Sequence, residues 1–212
     1  DLGRETDIPA FFKRLREGAV VTTAQRNPAE IEEYFEPYLK QGNDILHIAF
    51  SSKMSGTFSN ECIARNELLE KYPERRIELV DTLAISMPLG QLVGVALEMR
   101  RAGKSLDEIR DWVEDNKMKS CSLFAVDSLE YLRRGGRISN TAAFFGTALQ
   151  LKPILTVGPD GLVVPVAKIK GQRKAIKYIL EGCASTIEQP EDQTVYICHA
   201  DCPGAVSYTH LR

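Results

Sequence analysis

The stretch "SSKMSGTFSN" at positions 51–60 places four serines, a threonine and one glycine between an apolar run, "DILHIAF", and a helical pattern, "ECIARNELLEKY". A polar turn at a strand-to-helix junction aims backbone N–H groups off the end of a sheet, where open α/β proteins bind anions. Two further polar loops follow apolar runs: "TTAQRN" after "AVV", and "DTLAIS" after "RIELV". If the three strands are parallel, their loops share the carboxyl edge of one sheet, and Thr23, Ser55 and Ser86 become candidate ligands for an anionic group. Gly56, directly after Ser55, lets the backbone come close to a carboxylate or a phosphate. Helix capping by serine and threonine is the competing explanation for each loop taken alone.

Catalysis finds less support. The turn is not a GxSxG nucleophile elbow, no HExxH or paired-carboxylate pattern occurs, and no catalytic residue, metal site or cofactor is assigned. His47 lies on the buried run and reads as a core histidine, His199 ends a predicted strand, and His210 stands near the C-terminus. Basic residues gather at two places. In "YLRRGGRIS", Arg133, Arg134 and Arg137 surround two glycines, which aims a guanidinium at an anion or a partner, or leaves a solvated helix end. In "KIKGQRKAIK", Lys168, Lys170, Arg173, Lys174 and Lys177 form either a partner-docking patch or a solvated face.

The elements that would position these loops follow from periodicity and punctuation. Asp7 and Pro9 start a helix that Gly18 stops, and "AVVTT" reads as a strand. Asn27, Pro28 and Glu30 open a second helix, with a kink expected at Pro37 and a stop at Gly42. "DILHIAF" is a strand buried on both faces, Thr57 to Tyr72 a helix, "RIELVD" a strand, and "LGQLVGVALEMRRAG" a helix. Ser105 and Glu108 form a capping box for "LDEIRDWVEDN". Strand alternating with helix implies a parallel sheet. Beyond Lys117 the order changes to a strand, "CSLFAVDS", a short helix, "LEYLRRGG", a helix, "NTAAFFGTALQL", and a hairpin about Pro159, Asp160 and Gly161. The expected architecture is therefore α/β in two domains, 1–117 with a parallel sheet and 118–212 with an antiparallel one. Gly90, Gly94 and Gly146 each cost a helix about 1 kcal/mol against alanine, which suggests room for close packing or for a ligand.

Composition sets the class. The 212 residues are 43% hydrophobic and 26% charged, enough for a sizeable core, and a formal net charge of -2 argues against a nucleic-acid binder that relies on a positive surface. Five cysteines without a CxxC pair suggest neither a disulfide framework nor zinc, and reduced thiols point to the cytoplasm. No apolar run approaches the roughly 18–20 residues that span a bilayer, so no stable membrane insertion is expected. The start "DLGRETDIPA" lacks an initiator Met, and "SYTHLR" does not read as native continuation, so truncation is expected at both ends.

Taken in order, "TTAQRNP", "SSKMSGTFSN", "LVDTLAIS", "LEYLRRGGRIS", "LKPILTV" and "KIKGQRKAI" resemble the DegV family of bacterial fatty-acid-binding proteins, over about residues 11–200. The resemblance implies two α/β domains holding one long-chain fatty acid. Its carboxylate would be bound by Thr23, from a Thr-Ser-Gln motif, and by Ser55 with Gly56 alongside; Ser86 and Arg137 complete the ligand-binding set. Family members present the acyl group to a separate fatty acid kinase, which makes an acyl phosphate for phospholipid synthesis. That would make this chain a carrier and not an enzyme, with Arg133, Arg134, Lys170, Arg173 and Lys174 at the docking surface. The motif Thr-Ser-Gln-Pro reads Thr23-Ala24-Gln25-Arg26 here, which removes one hydroxyl, and the family's basic Arg-Thr pair reads Lys170-Gly171. The family's opening strand and closing elements are absent. Burying the roughly 14 methylenes of a sixteen-carbon tail at about 0.8 kcal/mol each supplies about 11 kcal/mol before binding costs, so the tail carries affinity and the head fixes orientation. The alternative reading is an enzyme or binding protein for a small phosphorylated or carboxylated metabolite that uses the Ser55-Gly56-Thr57 turn.

Overall fold

The computed structural model describes residues 7–138 and 151–202. They fall into two compact units, one formed by Asp1–Ala24 with Thr194–Arg212 and the other by Gln25–Gln193.

In the first unit, helix α1 spans Ile8–Arg16. The Asp7 carboxylate accepts from the Ala10 N–H at 3.0 Å, and Gly18, at φ +95°, ends the helix as expected. Arg16 pairs with Asp201. The strand expected at "AVVTT" does not form, nor does the one expected to end at His199. A β conformation persists where a neighbouring strand takes up its N–H and C=O groups, and neither segment has a strand partner among the described residues. Val20, Val21, Val195, Tyr196 and Ile197 accordingly stay exposed.

The second unit begins with α2, Pro28–Lys40, which runs through Pro37. Asn27 and Glu30 form a reciprocal capping box, with bonds of 2.9 and 3.0 Å. Strands β1, Ile45–Ala49, and β2, Ile77–Asp81, pair in parallel, Ile45 opposite Ile77 and Ala49 opposite Asp81. Between them α3 spans Thr57–Lys71, and after them come α4, Ser86–Arg101, and α5, Leu106–Asn116. Alternation along the strands divides two cores. Ile45, Ile77 and Leu79 meet Ile31, Phe35, Leu39, Ala64 and Leu68 of α2 and α3. Leu46, Ile48 and Val80 meet Leu92, Ala96, Ile109 and Val113 of α4 and α5. Both faces of this small sheet are covered, which is why "DILHIAF" reads as a continuous apolar run. Helix α4 begins three residues earlier than its sequence pattern suggested, taking in Ser86. Gly94 has no atom of another element within 4 Å of where a Cβ would stand among the described residues, so close packing does not account for it.

The chain then changes to antiparallel pairing, as expected. The strand predicted at 121–128 shrinks to β3, Phe124–Ala125, which pairs with β4, Leu151–Val157. Strand β4 pairs in turn with β5, Val163–Lys170, through a turn in which the Gly158 N–H donates to Leu162 O at 2.8 Å. Helix α6 spans Glu130–Arg134 and α7 spans Gln172–Thr186, followed by a 3-10 turn at Pro190–Asp192. The helix expected over "NTAAFFGTALQL" lies outside the described residues, as does Gly146, except that Leu151 opens β4.

A third core joins the two sheets. Met54, from the loop after β1, packs with Leu129, Ile138, Leu155 and Val163, and Ile85 packs against the same group. Hydrogen bonds fix the junction. Ser51, fully buried, accepts the Lys53 N–H at 3.3 Å through its hydroxyl oxygen and donates to Gly161 O at 3.0 Å, while its N–H donates to Ala84 O at 3.0 Å. Thr82 donates to Ala49 O at 2.7 Å and accepts from the Ala84 N–H at 3.1 Å. Gly161 sits at φ +78°, and a Cβ there would lie 2.8 Å from Ser51 Oγ. Replacing Gly161 by Ala combines left-handed strain with a clash, and Ser51→Ala leaves a buried carbonyl unpaired. Each is expected to lower stability in chemical denaturation, Gly161→Ala by about 2 kcal/mol or more and Ser51→Ala by about 1–3 kcal/mol.

Charges on α5 are tied to the sheet and to the turn before the helix. Arg76 bonds both Asp107 oxygens, at 2.7 and 2.9 Å, which pulls Asp107 from 3.8 to about 2. Lys104 and the Ser105 N–H do the same for Glu108, from 4.5 to about 2. Both carboxyls bind protons less readily when folded, so their stabilisation is complete above the ordinary values and is lost as pH falls through about 2. The melting-temperature gap between the protein and Arg76→Ala should therefore be present near neutral pH and close in strong acid; a gap constant with pH would contradict this.

Candidate functional site

The loop after β1 delivers the chain to the start of α3. Gly56 holds the N-cap position and has no side chain to cap the helix, and α3 is 15 residues long. The Ser55 hydroxyl accepts the Thr57 N–H at 3.2 Å and lies 2.8 Å from the Thr57 hydroxyl. Those two hydroxyls carry two protons and use one between them, so one remains for a ligand. Among the described residues, the N–H groups of Gly56 and Phe58 donate to no acceptor. Free amides at the positive end of a helix, beside a hydroxyl with a spare proton, suit one bound anion. Ser55 is half-buried and Gly56 exposed, so the group that binds is reached from solvent.

Gly56 has an ordinary φ of -71°, and its neighbour across the turn is a flexible side chain. A Cβ on Gly56 would collide with Oε1 of Gln25 and stand 3.1 Å from its Cδ and 3.4 Å from its Nε2. The carboxamide of Gln25 thus lies over the start of α3. Its segment is fastened there by Asn60, whose side-chain N–H donates to Arg26 O at 2.6 Å.

Arg137 is brought to the same turn from far along the chain. It is half-buried, its Nε donates to Met54 O at 3.3 Å, and its Nη1 donates to Gly135 O. The glycines beside it permit this course, Gly136 at φ +70°. Ser86 is exposed at the first position of α4 with φ 53°, and its neighbour Ile85 packs in the cluster that contains Met54. Thr23 is exposed in the first unit.

The basic residues divide into two kinds. Arg133 grips Glu130 with two bonds of 2.7 and 2.8 Å, and Arg134 adds a third at 2.7 Å, which holds the Glu130 carboxyl down at about 2. Lys170, Arg173 and Lys174 are exposed around the start of α7 and form no salt bridge among the described residues. Arg173 and Lys174 occupy the first turn of a helix, where positive charge opposes the macrodipole.

Other candidates are already engaged. His47 Nε2 stands 3.0 Å from Glu61 Oε1, and its ring packs on Phe35 at 5.2 Å, a core role as the sequence suggested. A cavity of about 230 Å³ opens beside Leu83, Pro88, Lys117, Ser120 and Val157. Of its polar side chains, Lys117 bonds Asp81 O at 2.9 Å and Glu114 at 2.6 Å, and Ser120 bonds Gln91 at 2.8 Å. Among the described residues no cluster of three or more His, Cys, Asp or Glu could hold a metal ion, and no helix is long and apolar enough to cross a membrane.

Comparison with known proteins agrees with this architecture. The family model described as "Uncharacterised protein, DegV family" matches residues 2–209. A DegV domain-containing protein of Clostridium perfringens (strain 13 / Type A) is 49% identical over 202 residues, which cover 95% of this chain and 69% of that protein. A fatty-acid-binding DegV family protein from Thermus thermophilus superposes with a TM-score of 0.75 at 32% identity, over 88% of this chain and 65% of that one. The fatty acid kinase (Fak) B3 protein of Streptococcus pneumoniae, loaded with linoleic acid, shares the fold at a TM-score of 0.77 and 18% identity, over 86% of this chain and 64% of that one. The chain thus spans about two thirds of the length of these relatives. A family match along nearly the whole sequence, with close to half of its residues shared with one member, shows that this chain belongs to the DegV family.

Proposed function

We propose that the protein binds a long-chain fatty acid, with the carboxylate at the start of α3, and presents it to a separate fatty acid kinase. The observation that carries this reading is the pair of free N–H groups at Gly56 and Phe58 beside the Ser55 hydroxyl. Kinship supports it, since the Thermus thermophilus relative is described as binding fatty acid and the Streptococcus pneumoniae neighbour bears the kinase name. In this proposal Ser55, Gly56 and Thr23 bind the carboxylate, Ser86 closes the adjoining loop, and Arg137 braces the turn through Met54 O. The kinase transfers a phosphoryl group from its nucleotide to a carboxylate oxygen, so this chain needs no catalytic residue and no cofactor, and a cytoplasmic site of action follows from the nucleotide.

Docking falls to the basic surface. Arg173 and Lys174 stand in the first turn of α7, where their charge disfavours the helix, and Lys170 ends β5 two residues before it; an acidic partner face would relieve that charge. Arg133 and Arg134 contribute less, because Glu130 already neutralises part of their charge. A division into two domains near Lys117 belongs to the same proposal. A phosphorylated metabolite is the second reading, favoured by the same helix start, which suits phosphate as well as carboxylate.

Mass spectrometry of lipid extracted from the purified protein separates the two. The wild type is expected to carry fatty acid near one per chain, and a Ser55→Ala, Thr23→Ala double variant that still folds is expected to lose it. Absence of lipid from both, with phosphate-ester binding, would favour the metabolite. Reversing Lys170, Arg173 and Lys174 to Glu should slow acyl phosphate formation by the kinase at least tenfold at low salt, with fatty-acid content unchanged. Equal rates would remove the docking assignment.

A further inference from the structure

We infer that Asp81 is the positioning residue of the head-group site, the group that fixes the Ser55 turn against the loop leading to Ser86; this rests on the fatty-acid reading above. Asp81 is half-buried at the last position of β2. One oxygen of its carboxylate, Oδ1, accepts two backbone N–H groups, that of Ser52 from the loop after β1 and that of Leu83 from the loop after β2, each at 3.1 Å. A single acceptor thus joins the two loops that carry Ser55 and Ser86. The amides of the turn show what the bond to Ser52 does. The Ser51 N–H goes to Ala84 O at 3.0 Å, that of Lys53 to the Ser51 hydroxyl at 3.3 Å, and those of Met54 and Ser55 to Ser51 O at 3.1 and 3.3 Å. With Ser52 on Asp81, every N–H from Ser51 to Ser55 is taken, and Gly56 offers the first one left for a ligand. The second loop is held in a costly shape, since Leu83 and Ser86 both stand at φ 53°, in the left-handed region that L side chains avoid. Such backbone persists only where surrounding bonds hold it, and here they are Asp81 on the Leu83 N–H and the Thr82 hydroxyl on the Ala84 N–H at 3.1 Å. Lys117 bonds the Asp81 carbonyl at 2.9 Å, and among the described residues no cation pairs with the carboxylate. A negative charge close to an anion site opposes the ligand, so Asp81 serves the site through the bonds its oxygen accepts.

Asparagine keeps an acceptor oxygen and drops the charge, whereas alanine drops both, which separates positioning from electrostatics. Affinities are measured by fluorescence with cis-parinaric acid and with the alcohol of the same tail. Asp81→Ala is expected to weaken the acid about tenfold and leave the alcohol unchanged, and Asp81→Asn to bind the acid within about threefold of the wild type. Where Asp81→Ala does not fold, Asp81→Ser replaces it: the shorter hydroxyl still reaches Leu83, two residues on, and gives up Ser52, so the same acid-selective loss is expected. If the wild type binds the acid and the alanine or serine variant binds it equally well, Asp81 positions nothing and the fatty-acid reading stands. If those variants lose acid and alcohol alike, or asparagine fails to restore the acid, the inference fails. In the lipid-free wild type, the Ser52 amide is expected to exchange with deuterium at least about tenfold more slowly than that of Gly56, and equal rates overturn the inference whichever variants fold. If the wild type binds neither probe, the fatty-acid reading falls and this inference falls with it.

Discussion

The hydrogen bond from the buried Ser51 hydroxyl to Gly161 O governs how the parts of the larger unit meet. It joins the loop after a parallel strand to the turn of an antiparallel hairpin, across 110 positions of sequence. Burial without that bond would strand a carbonyl in an apolar setting, so the arrangement is favoured only when the hairpin turn adopts a left-handed glycine and comes close. Met54, three residues on, then enters the core of the second sheet, and Arg137 returns from that side to hold Met54 O. The start of α3 is thereby fixed by contacts from both sheets, although the residues facing solvent there are few and small.

Much of this was legible in the sequence, and the reasons differ by element. Helices α2, α4 and α5 have side-chain caps or glycine stops written in single residues: Asn27 with Glu30, Ser105 with Glu108, and Gly42 and Gly103 at positive φ. The parallel pair was legible because both of its faces are covered, so its strands are mostly apolar, with His47 in β1 and Glu78 and Asp81 in β2 as the exceptions. "AVVTT" carries the same apolar, β-branched signal and forms no strand. Local propensity proposes an extended chain, and only a partner strand makes it a ladder. The shrinkage of "CSLFAVDS" to Phe124–Ala125 has the same cause, since its register reaches only Leu155 and Ile154 of β4.

The candidate site divides in a similar way. Ser55 and Gly56 stood out because residue type and position at a strand-to-helix turn agree on anion binding. Arg137 was visible as a charge beside two glycines, but its bond to Met54 O depends on a tertiary contact no local pattern encodes. Ser51 was eclipsed by Ser55, four residues on, because residue type is the same at both positions and no local pattern says which is buried.

The unladdered segments of the smaller unit bear on how the protein behaves in solution. Val20 and Val21, and Val195, Tyr196 and Ile197, are apolar and exposed, in no strand. Apolar side chains left in water favour association between copies. Charged substitutions there are a natural place to tune solubility without touching the packing of the larger unit.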